Sequence, residues 1–267
     1  MACLPLTRAP LAGACLFAGW LAAAHAQEPC PADRVDQRVV VARVFDGDTL
    51  RLSDGRVLRL VGVNTPERAR DDRPAEPGAA AATAALRRLA PPGSRLALRL
   101  DAERRDRHGR LLAHAFTPGG RNLTRVLLER GHGFHLVIPP NVWAHACYRA
   151  AERRARTQRR GVWGLRAHAP LTAAELGPGR EGFHLVRGRV RRVGRSRRAL
   201  WLNLEPPLAI RIPRADLHWF HRDPAALAGR RVEARGWLRR HKGRWWLTVR
   251  HPDMLETDPP QEAPQAP

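Results

Sequence analysis

The chain has 267 residues, of which 43% are hydrophobic and 27% charged, enough for one large domain or two ordinary ones; a short peptide is excluded. Lysine and arginine number 47 against 25 acidic residues, giving a net charge of +22, and Lys242 is the single lysine. This excess of arginine predicts a polyanionic partner. Nucleic acid comes first, ahead of an acidic polysaccharide or an anionic membrane surface.

Residues 1–26 have the pattern of a secretory signal peptide. One cation, Arg8, precedes the apolar stretch 11–24, and a small-x-small cleavage pattern ends at Ala26. The apolar stretch is shorter than the ~20 residues that span a membrane, which disfavours a retained anchor. The sequence therefore predicts a secreted or periplasmic protein whose mature form has no membrane attachment.

Two of the four cysteines, Cys30 and Cys147, remain after removal of that segment. In an oxidising compartment such a pair suggests one disulfide. It would close a loop of more than a hundred residues.

Five segments of the first half alternate in hydrophobicity or are rich in β-branched residues, and turn-forming residues separate most of them. They are predicted as strands: 38–45, 49–52, 57–63, 95–100 and 111–116. Three helices are also predicted: 76–90, 122–130 and 141–160. Three strands, a helix and two strands is the order of the five-stranded OB-fold barrel, which is expected here.

The second half repeats this plan on a smaller scale. Its predicted strands are 183–193, 200–204, 208–212, 231–238 and 244–250, which indicate a second OB-like barrel over residues 183–255. A linker is predicted at 166–182 and a proline-rich, disordered tail at 256–267. The predicted fold class is therefore α+β, mainly β with helices: one five-stranded barrel with three helices, then a second small barrel.

Polar residues that suit phosphodiester hydrolysis stand at strand ends in the first half. This chemistry needs a cation, a positioned water and donors to the phosphate oxygens. The carboxylate of Asp48, the amide oxygen of Asn64 and the backbone carbonyl of Thr65 are hard oxygen ligands of the kind that Ca²⁺ accepts. Arginine can bind two phosphate oxygens and stays charged, which suits it to phosphate binding.

The blocks Asp46-Gly47-Asp48-Thr49, Asn64-Thr65-Pro66-Glu67 and Asp106-Arg107-His108-Gly109-Arg110, with Arg59 between the first two, resemble those of the staphylococcal nuclease (thermonuclease) family. The resemblance covers residues 38–165, including the order of elements. It implies that Asp48, Asn64 and the carbonyl of Thr65 hold Ca²⁺, and that Asp46 supports the site without touching the ion. It also implies that Glu67 is the general base and that Arg59 and Arg110 bind the scissile phosphate.

The activity that the resemblance implies is Ca²⁺-dependent hydrolysis of DNA, with RNA as a second candidate substrate, leaving 3′-phosphorylated products. One alternative is a catalytically weak or inactive relative that binds nucleic acid. Another is an arginine-rich protein that binds acidic polysaccharide without any cleavage.

The sequence departs from the family at two places. Asn64 stands where the best-known members have an aspartate, so weaker Ca²⁺ binding is expected. Leu136 and Ile138 stand where some members present tyrosines that stack on the terminal base. The candidates to replace these tyrosines are His108, Phe134 and His135.

Two further groups of residues carry competing interpretations. The spacing of His132, His135, His145 and Cys147 is faintly typical of a zinc site, but Cys147 is better placed to pair with Cys30. Five tryptophans lie among arginines in the second half, as nucleic-acid binding surfaces have, although alternation also suits them to the barrel core. They are Trp201, Trp219, Trp237, Trp245 and Trp246.

Overall fold

The computed structural model describes residues 30–70 and 73–257. The predicted signal peptide and residues 258–267 of the predicted tail lie outside the described residues. Within the described part of the chain, no helix has the length and hydropathy needed to cross a membrane.

The first unit of the described chain contains seven strands and three helices. In chain order these are β1 (Gln37–Val44), β2 (Thr49–Leu52), β3 (Val57–Leu60), β4 (Val63–Asn64), α1 (Ala79–Leu89), β5 (Arg95–Arg105), β6 (Leu111–Phe116), α2 (Leu123–Glu129), β7 (Phe134–His135) and α3 (His145–Thr157). Five of the strands close a barrel in the order β1-β2-β3-β6-β5, since β5 pairs back onto β1. The predicted five-stranded barrel with helices is confirmed.

Alternation along the strands builds the barrel interior. Leu50 and Leu52 of β2 and Leu58 and Leu60 of β3 are almost fully buried, while Arg51 between the first pair is exposed. The strand register places β3 parallel to β6, so the start of β6 lies beside the strand that carries Arg59. Because β2 runs antiparallel to both β1 and β3, the end of β1, the start of β2 and the end of β3 meet at one rim of the barrel.

Two helices begin three or more residues later than predicted, each for a local reason. The first starts at residue 79 rather than 76 because Gly78 has a φ of 94° and ends the preceding turn. The third starts at His145 rather than 141, because the side chain of Asn141 bonds the backbone N–H and carbonyl of Glu103 in β5.

The second unit contributes seven strands: β8 (Gly182–Arg189), β9 (Arg192–Arg195), β10 (Ala199–Asn203), β11 (Leu208–Pro213), β12 (Arg231–His241), β13 (Arg244–Thr248) and β14 (Leu255–Thr257). They form a sheet in the order β14-β12-β13-β11-β10-β9, with β8 paired to β12. Because only two residues separate β8 from β9, these strands act as one bent strand, and the pairing order repeats that of the first barrel. That residues 183–255 form a separate accessory domain stays a prediction.

Segments predicted to be loose are ordered where the structure describes them. Leu171, within the predicted linker, is buried and exchanges backbone hydrogen bonds with β8. Glu256 and Thr257, assigned from the sequence to the disordered tail, pair with β12 as part of β14. Backbone pairing with the sheet, which proline content could not reveal, orders both segments.

A buried ion pair joins the two units. Arg235 of β12 and Glu152 of α3 are each about 95% or more buried, and Arg235 Nη1 lies 2.6 Å from Glu152 Oε2. Glu152 Oε1 also accepts the backbone N–H of His135 at 2.6 Å. A second pair, Arg156 of α3 with Glu233 of β12, lies alongside at 2.8 Å. The hydrophobic core of the second unit also includes Leu136 and Val137 of the first unit, so the junction between the units is packed.

Cys30 and Cys147 form a disulfide that ties the start of the described chain to α3 across 117 residues of sequence. We expect the double variant Cys30→Ser/Cys147→Ser to lose about 2–5 kcal/mol of unfolding free energy, because the open chain regains loop entropy. Urea unfolding of the oxidised protein and the variant measures the loss. Dithiothreitol should destabilise the oxidised protein by a similar amount and leave the variant unchanged; equal stabilities would contradict the prediction.

Candidate active site

The turn between β1 and β2 forms one wall of the site. Gly47 lies so close to its neighbours that an added Cβ would stand 2.6 Å from the Cβ of Ala82 and 2.7 Å from Oγ1 of Thr65. Only glycine therefore lets the turn pack against both α1 and the chain after β4. This contact brings Asp46 and Asp48 next to Thr65.

Asp48 is the centre of the site. It is 4% exposed, and its Oδ2 accepts hydrogen bonds from the backbone N–H of Thr65 at 2.9 Å and from Thr65 Oγ1 at 3.0 Å. Thr49 Oγ1 donates to the other carboxylate oxygen at 3.0 Å. Asp48 Oδ2 also lies 2.9 Å from Nη1 of Arg59. The carboxylate is therefore fixed in position by neighbours from both sequence blocks.

The guanidinium of Arg59 is held over the same site. Its Nη1 donates to the carbonyls of Leu60 and Val63 at 3.1 and 3.0 Å, and its Nη2 donates to Oδ1 of Asn64 at 3.2 Å. These acceptors lie in or beside the two short strands β3 and β4. These hydrogen bonds therefore orient the guanidinium of Arg59 towards Asp48 and Asn64.

Two more carboxylates add negative charge to the site. Asp46 Oδ1 accepts the backbone N–H of Asp48 at 3.0 Å. Burial, together with the charge of Asp48, raises the pKa of the Asp46 carboxyl to about 6. Glu67 is exposed as a residue, yet partial desolvation of its carboxyl and then the charge of Asp48 raise its pKa above the ordinary value. This accumulation of carboxylates favours a bound cation.

The backbone around Glu67 is anchored on both sides. Its N–H donates to Glu76 Oε2 at 3.0 Å, and its carbonyl accepts the N–H of Glu76 at 2.9 Å. The next residue, Arg68, donates to the carbonyl of Phe45 at 2.9 Å. The segment is thus tied to the β1–β2 turn, and the side chain of Glu67 takes no part in these bonds.

Arg110 is oriented differently from the other candidate residues. Its Nε donates to Asp106 Oδ2 at 2.7 Å, and its backbone N–H donates to Asp106 Oδ1 at 3.0 Å. In the described residues, no hydrogen bond or ion pair joins Arg110 to Asp48, Arg59 or Glu67. Arg110 directly precedes β6, whose first two residues pair with Leu58 and Arg59 of β3, so its backbone lies next to the strand that carries Arg59 while its guanidinium is engaged with Asp106.

Two of the three aromatic candidates for base stacking are buried. Phe134 is 2% exposed and packs against Trp163 and Phe183, with ring centroids 5.2 and 5.5 Å apart. His135 is 1% exposed. The expectation that either could replace the family's tyrosines is therefore wrong, since packing at the junction covers both rings. The third candidate, His108, is exposed.

An aromatic side chain from the second unit lies beside this position instead. Trp237 of β12 is 43% exposed and lines a groove with Leu136 and Ile138, together with Arg239 and Arg250. The sequence identified Trp237 only as one of five tryptophans. Its approach to Ile138 depends on the docking of the two units, for which the sequence holds no local signal.

Comparison with known proteins relates the first part of the chain to a family of nucleases. The family model for staphylococcal nuclease homologues matches residues 57–164. The thermonuclease of Staphylococcus intermedius is 32% identical over 129 residues, which cover 46% of this chain and 74% of that protein. The thermonuclease of Staphylococcus hyicus is 30% identical over 132 residues, covering 48% and 76%. Endonuclease YhcR of Bacillus subtilis is 28% identical over 136 residues, covering 46% of this chain and 11% of that larger protein.

Proposed function

The chain belongs to the staphylococcal nuclease family, and from this premise we propose that it is a secreted or periplasmic, Ca²⁺-dependent nuclease. It hydrolyses phosphodiester bonds of DNA, with RNA as a second substrate, and leaves 3′-phosphorylated products. The observation that carries the proposal is the convergence of Asp48, Arg59, Asn64 and Thr65 at one barrel rim. The disulfide and the signal-peptide pattern support an oxidising compartment.

The donor set at this rim fits Ca²⁺. Asp48 offers a buried carboxylate, Asn64 an amide oxygen and Thr65 a backbone carbonyl, all hard oxygen ligands. Burial, and after it the negative charge of Asp48, raises the pKa of Asp46, and a cation bound at this rim would offset the repulsion between the two carboxylates. When bound, Ca²⁺ supplies positive charge that neutralises the phosphate. Imidazole and thiolate ligands, which softer metals prefer, are not part of this donor set.

The protein's own side chains accept the proton of the attacking water and bind the phosphate. Glu67 accepts the proton of the water that attacks phosphorus in line, because partial desolvation and then the charge of Asp48 raise the pKa of its carboxyl. Arg59, already fixed by two carbonyls, donates to a non-bridging phosphate oxygen. The bond from phosphorus to the 5′ oxygen breaks, the 5′ oxygen takes up a proton, and the phosphate stays on the 3′ oxygen. Arg110 turns from Asp106 to the phosphate when substrate binds.

The proposal is tested with the mature chain, plasmid and single-stranded DNA, and either Ca²⁺ or a chelator. Cleavage with Ca²⁺, its loss with the chelator, and 3′-phosphate ends on the products are the expected results. DNA binding without cleavage under any divalent cation would overturn the nuclease and favour the inactive binding protein. Affinity for acidic polysaccharide with no binding or cleavage of DNA would favour the third interpretation.

Asn64→Asp is expected to tighten Ca²⁺ binding by about tenfold, since it adds a negative ligand while keeping an oxygen for Arg59. Calorimetric titration with Ca²⁺ measures the change. The matched control is Asn203→Asp, which adds the same charge to the half-buried Asn203 in β10 of the second unit and should leave Ca²⁺ binding unchanged. Equal or weaker binding by the Asn64→Asp variant would defeat this account of the site.

Trp237→Ala is expected to weaken single-stranded DNA binding by about tenfold, because one stacked base contributes ~1–3 kcal/mol. Fluorescence anisotropy with a short oligonucleotide and Ca²⁺-free protein measures it. Trp201→Ala is the control, since Trp201 is half-buried and does not line the groove. Trp245 is 3% exposed and belongs to the core, so it offers no surface for stacking. Equal affinities of the Trp237 and Trp201 variants would assign Trp237 a structural role.

A further inference from the structure

Three histidines and an aspartate meet where the two units join. His135 in β7 and His145 at the start of α3 come from the first unit; His251 and Asp253 come from the turn that precedes β14. His145 Nδ1 lies 2.8 Å from Asp253 Oδ2, and one candidate ligand atom of each of His145, His251 and Asp253 lies within 4.8 Å of the others. His135 Nε2 lies 3.5 Å from the same Asp253 oxygen but stands outside that group of three, so it has to move towards the other two histidines to share an ion with them.

The environment of His135 is the second, independent observation. Its ring is 99% buried, and Nδ1 lies 3.1 Å from the carbonyl of Gly62. A carbonyl only accepts hydrogen bonds, so Nδ1 carries the proton, and in the neutral ring Nε2 presents a lone pair. Nε2 makes no hydrogen bond and lies 3.5 Å from a carboxylate oxygen of Asp253. A cation between these two atoms would satisfy both.

Surrounding contacts match those that orient metal ligands. A metal-binding histidine usually donates its other ring N–H to a carbonyl, as His135 does to Gly62. Arg149 Nη1 lies 2.9 Å from Asp253 Oδ1, which holds the carboxylate and leaves Oδ2 directed at His135 and His145. His145 is partly exposed and gives the cluster an opening to solvent, whereas His251 and Asp253 are buried.

We propose that His135, His145, His251 and Asp253 form a binding site for Zn²⁺ that is separate from the Ca²⁺ site. Three imidazoles and one carboxylate are a tetrahedral zinc set, whereas Ca²⁺ prefers oxygen ligands alone. The hydrogen bond from His145 Nδ1 to Asp253 Oδ2 gives way to the ion, and solvent takes up the Nδ1 proton and supplies one to Nε2, so the neutral ring binds the metal. If His251 binds through Nδ1, the hydrogen bond that this atom accepts from the backbone N–H of Asp253 also gives way. Because each unit supplies two ligands, the ion fastens the second unit to the first.

This set differs from the one suggested by spacing alone. Cys147 is in the disulfide and cannot bind a metal as a thiolate. His251 and Asp253 take the places of His132 and Cys147. They lie more than a hundred residues from His145 in sequence, and no local spacing connects them.

The test is a calorimetric titration of the chelator-stripped mature chain with Zn²⁺, repeated with Co²⁺ to record its visible absorption. The expected result is one saturable equivalent, a tetrahedral Co²⁺ spectrum and a raised unfolding temperature. His145→Ala should weaken Zn²⁺ binding by more than about a hundredfold, and because His145 is partly exposed this variant keeps the fold. His251→Ala should do the same.

His221→Ala, at an exposed histidine outside the cluster, is the matched control and should bind Zn²⁺ like the wild type. The absence of saturable Zn²⁺ binding by the wild type would overturn the site, as would unchanged binding by the His145 variant. Ca²⁺ titration of that variant should be unchanged. The outcome is independent of nuclease activity, so its failure does not bear on the proposed function.

Discussion

Replacing Glu67 with glutamine is expected to lower kcat for DNA cleavage by about 10²–10⁴-fold, the range typical of a lost general base. Glutamine keeps the size of the side chain but cannot accept the proton of the attacking water. The fold and Ca²⁺ binding should persist, because the backbone and not the side chain of Glu67 makes the bonds to Glu76. Single-turnover cleavage of an oligonucleotide at saturating Ca²⁺ measures the change.

Glu181→Gln makes the same chemical change at an exposed residue outside the site, and it should cleave at the wild-type rate. The general-base role would be refuted by a Glu67→Gln variant that retains more than a third of wild-type kcat. A large loss accompanied by weakened Ca²⁺ binding would instead assign Glu67 to the ion.

Truncating Glu152 to alanine is expected to destabilise the protein by about 3–5 kcal/mol, because the buried Arg235 then keeps only the partly exposed Glu256, 3.3 Å from its Nη2, as an ion-pair partner. The backbone N–H of His135 loses its acceptor as well. The double variant Glu152→Leu/Arg235→Met should recover part of the loss, since apolar side chains of similar volume can fill the space left by the pair. Urea unfolding at neutral pH measures all three stabilities.

An exposed ion pair provides the comparison. Arg195 and Asp223 lie 3.2 Å apart with side chains about 60% exposed, and Arg195→Ala should cost less than about 1 kcal/mol, because solvent screens such a pair. Similar losses for Glu152→Ala and Arg195→Ala would show that burial does not determine the contribution of the pair at the junction.

Local patterns in the sequence predict the barrel and the position of the candidate site. Alternation in β2 and β3 fixes which leucines face inward, and the polar blocks lie at the ends of those strands, so the turn carrying Asp48 and the segment carrying Asn64 meet by topology alone. The catalytic and metal-binding roles themselves stay predictions for the experiments above.

Features that depend on distant packing could not be read from the sequence. The sequence predicts a helix start at Asn141, but in the folded chain its side chain forms hydrogen bonds with the backbone of Glu103 in β5. Phe134 is a candidate for base stacking in the sequence, but in the folded chain Phe183 of the second unit packs against its ring. Arg110 had two acceptable partners, the phosphate and Asp106, and the choice depends on side-chain geometry that spacing does not encode.

Helix α3 carries Cys147 of the disulfide at one end, and further along it Glu152 and Arg156, whose partners Arg235 and Glu233 lie in β12. A single helix therefore holds the two units at a fixed angle. Closure of the units around a ligand would require breaking these two ion pairs. A nucleic acid strand that bound across both units would therefore contact a preorganised surface. The loss of conformational freedom on association then falls on the strand and hardly at all on the protein.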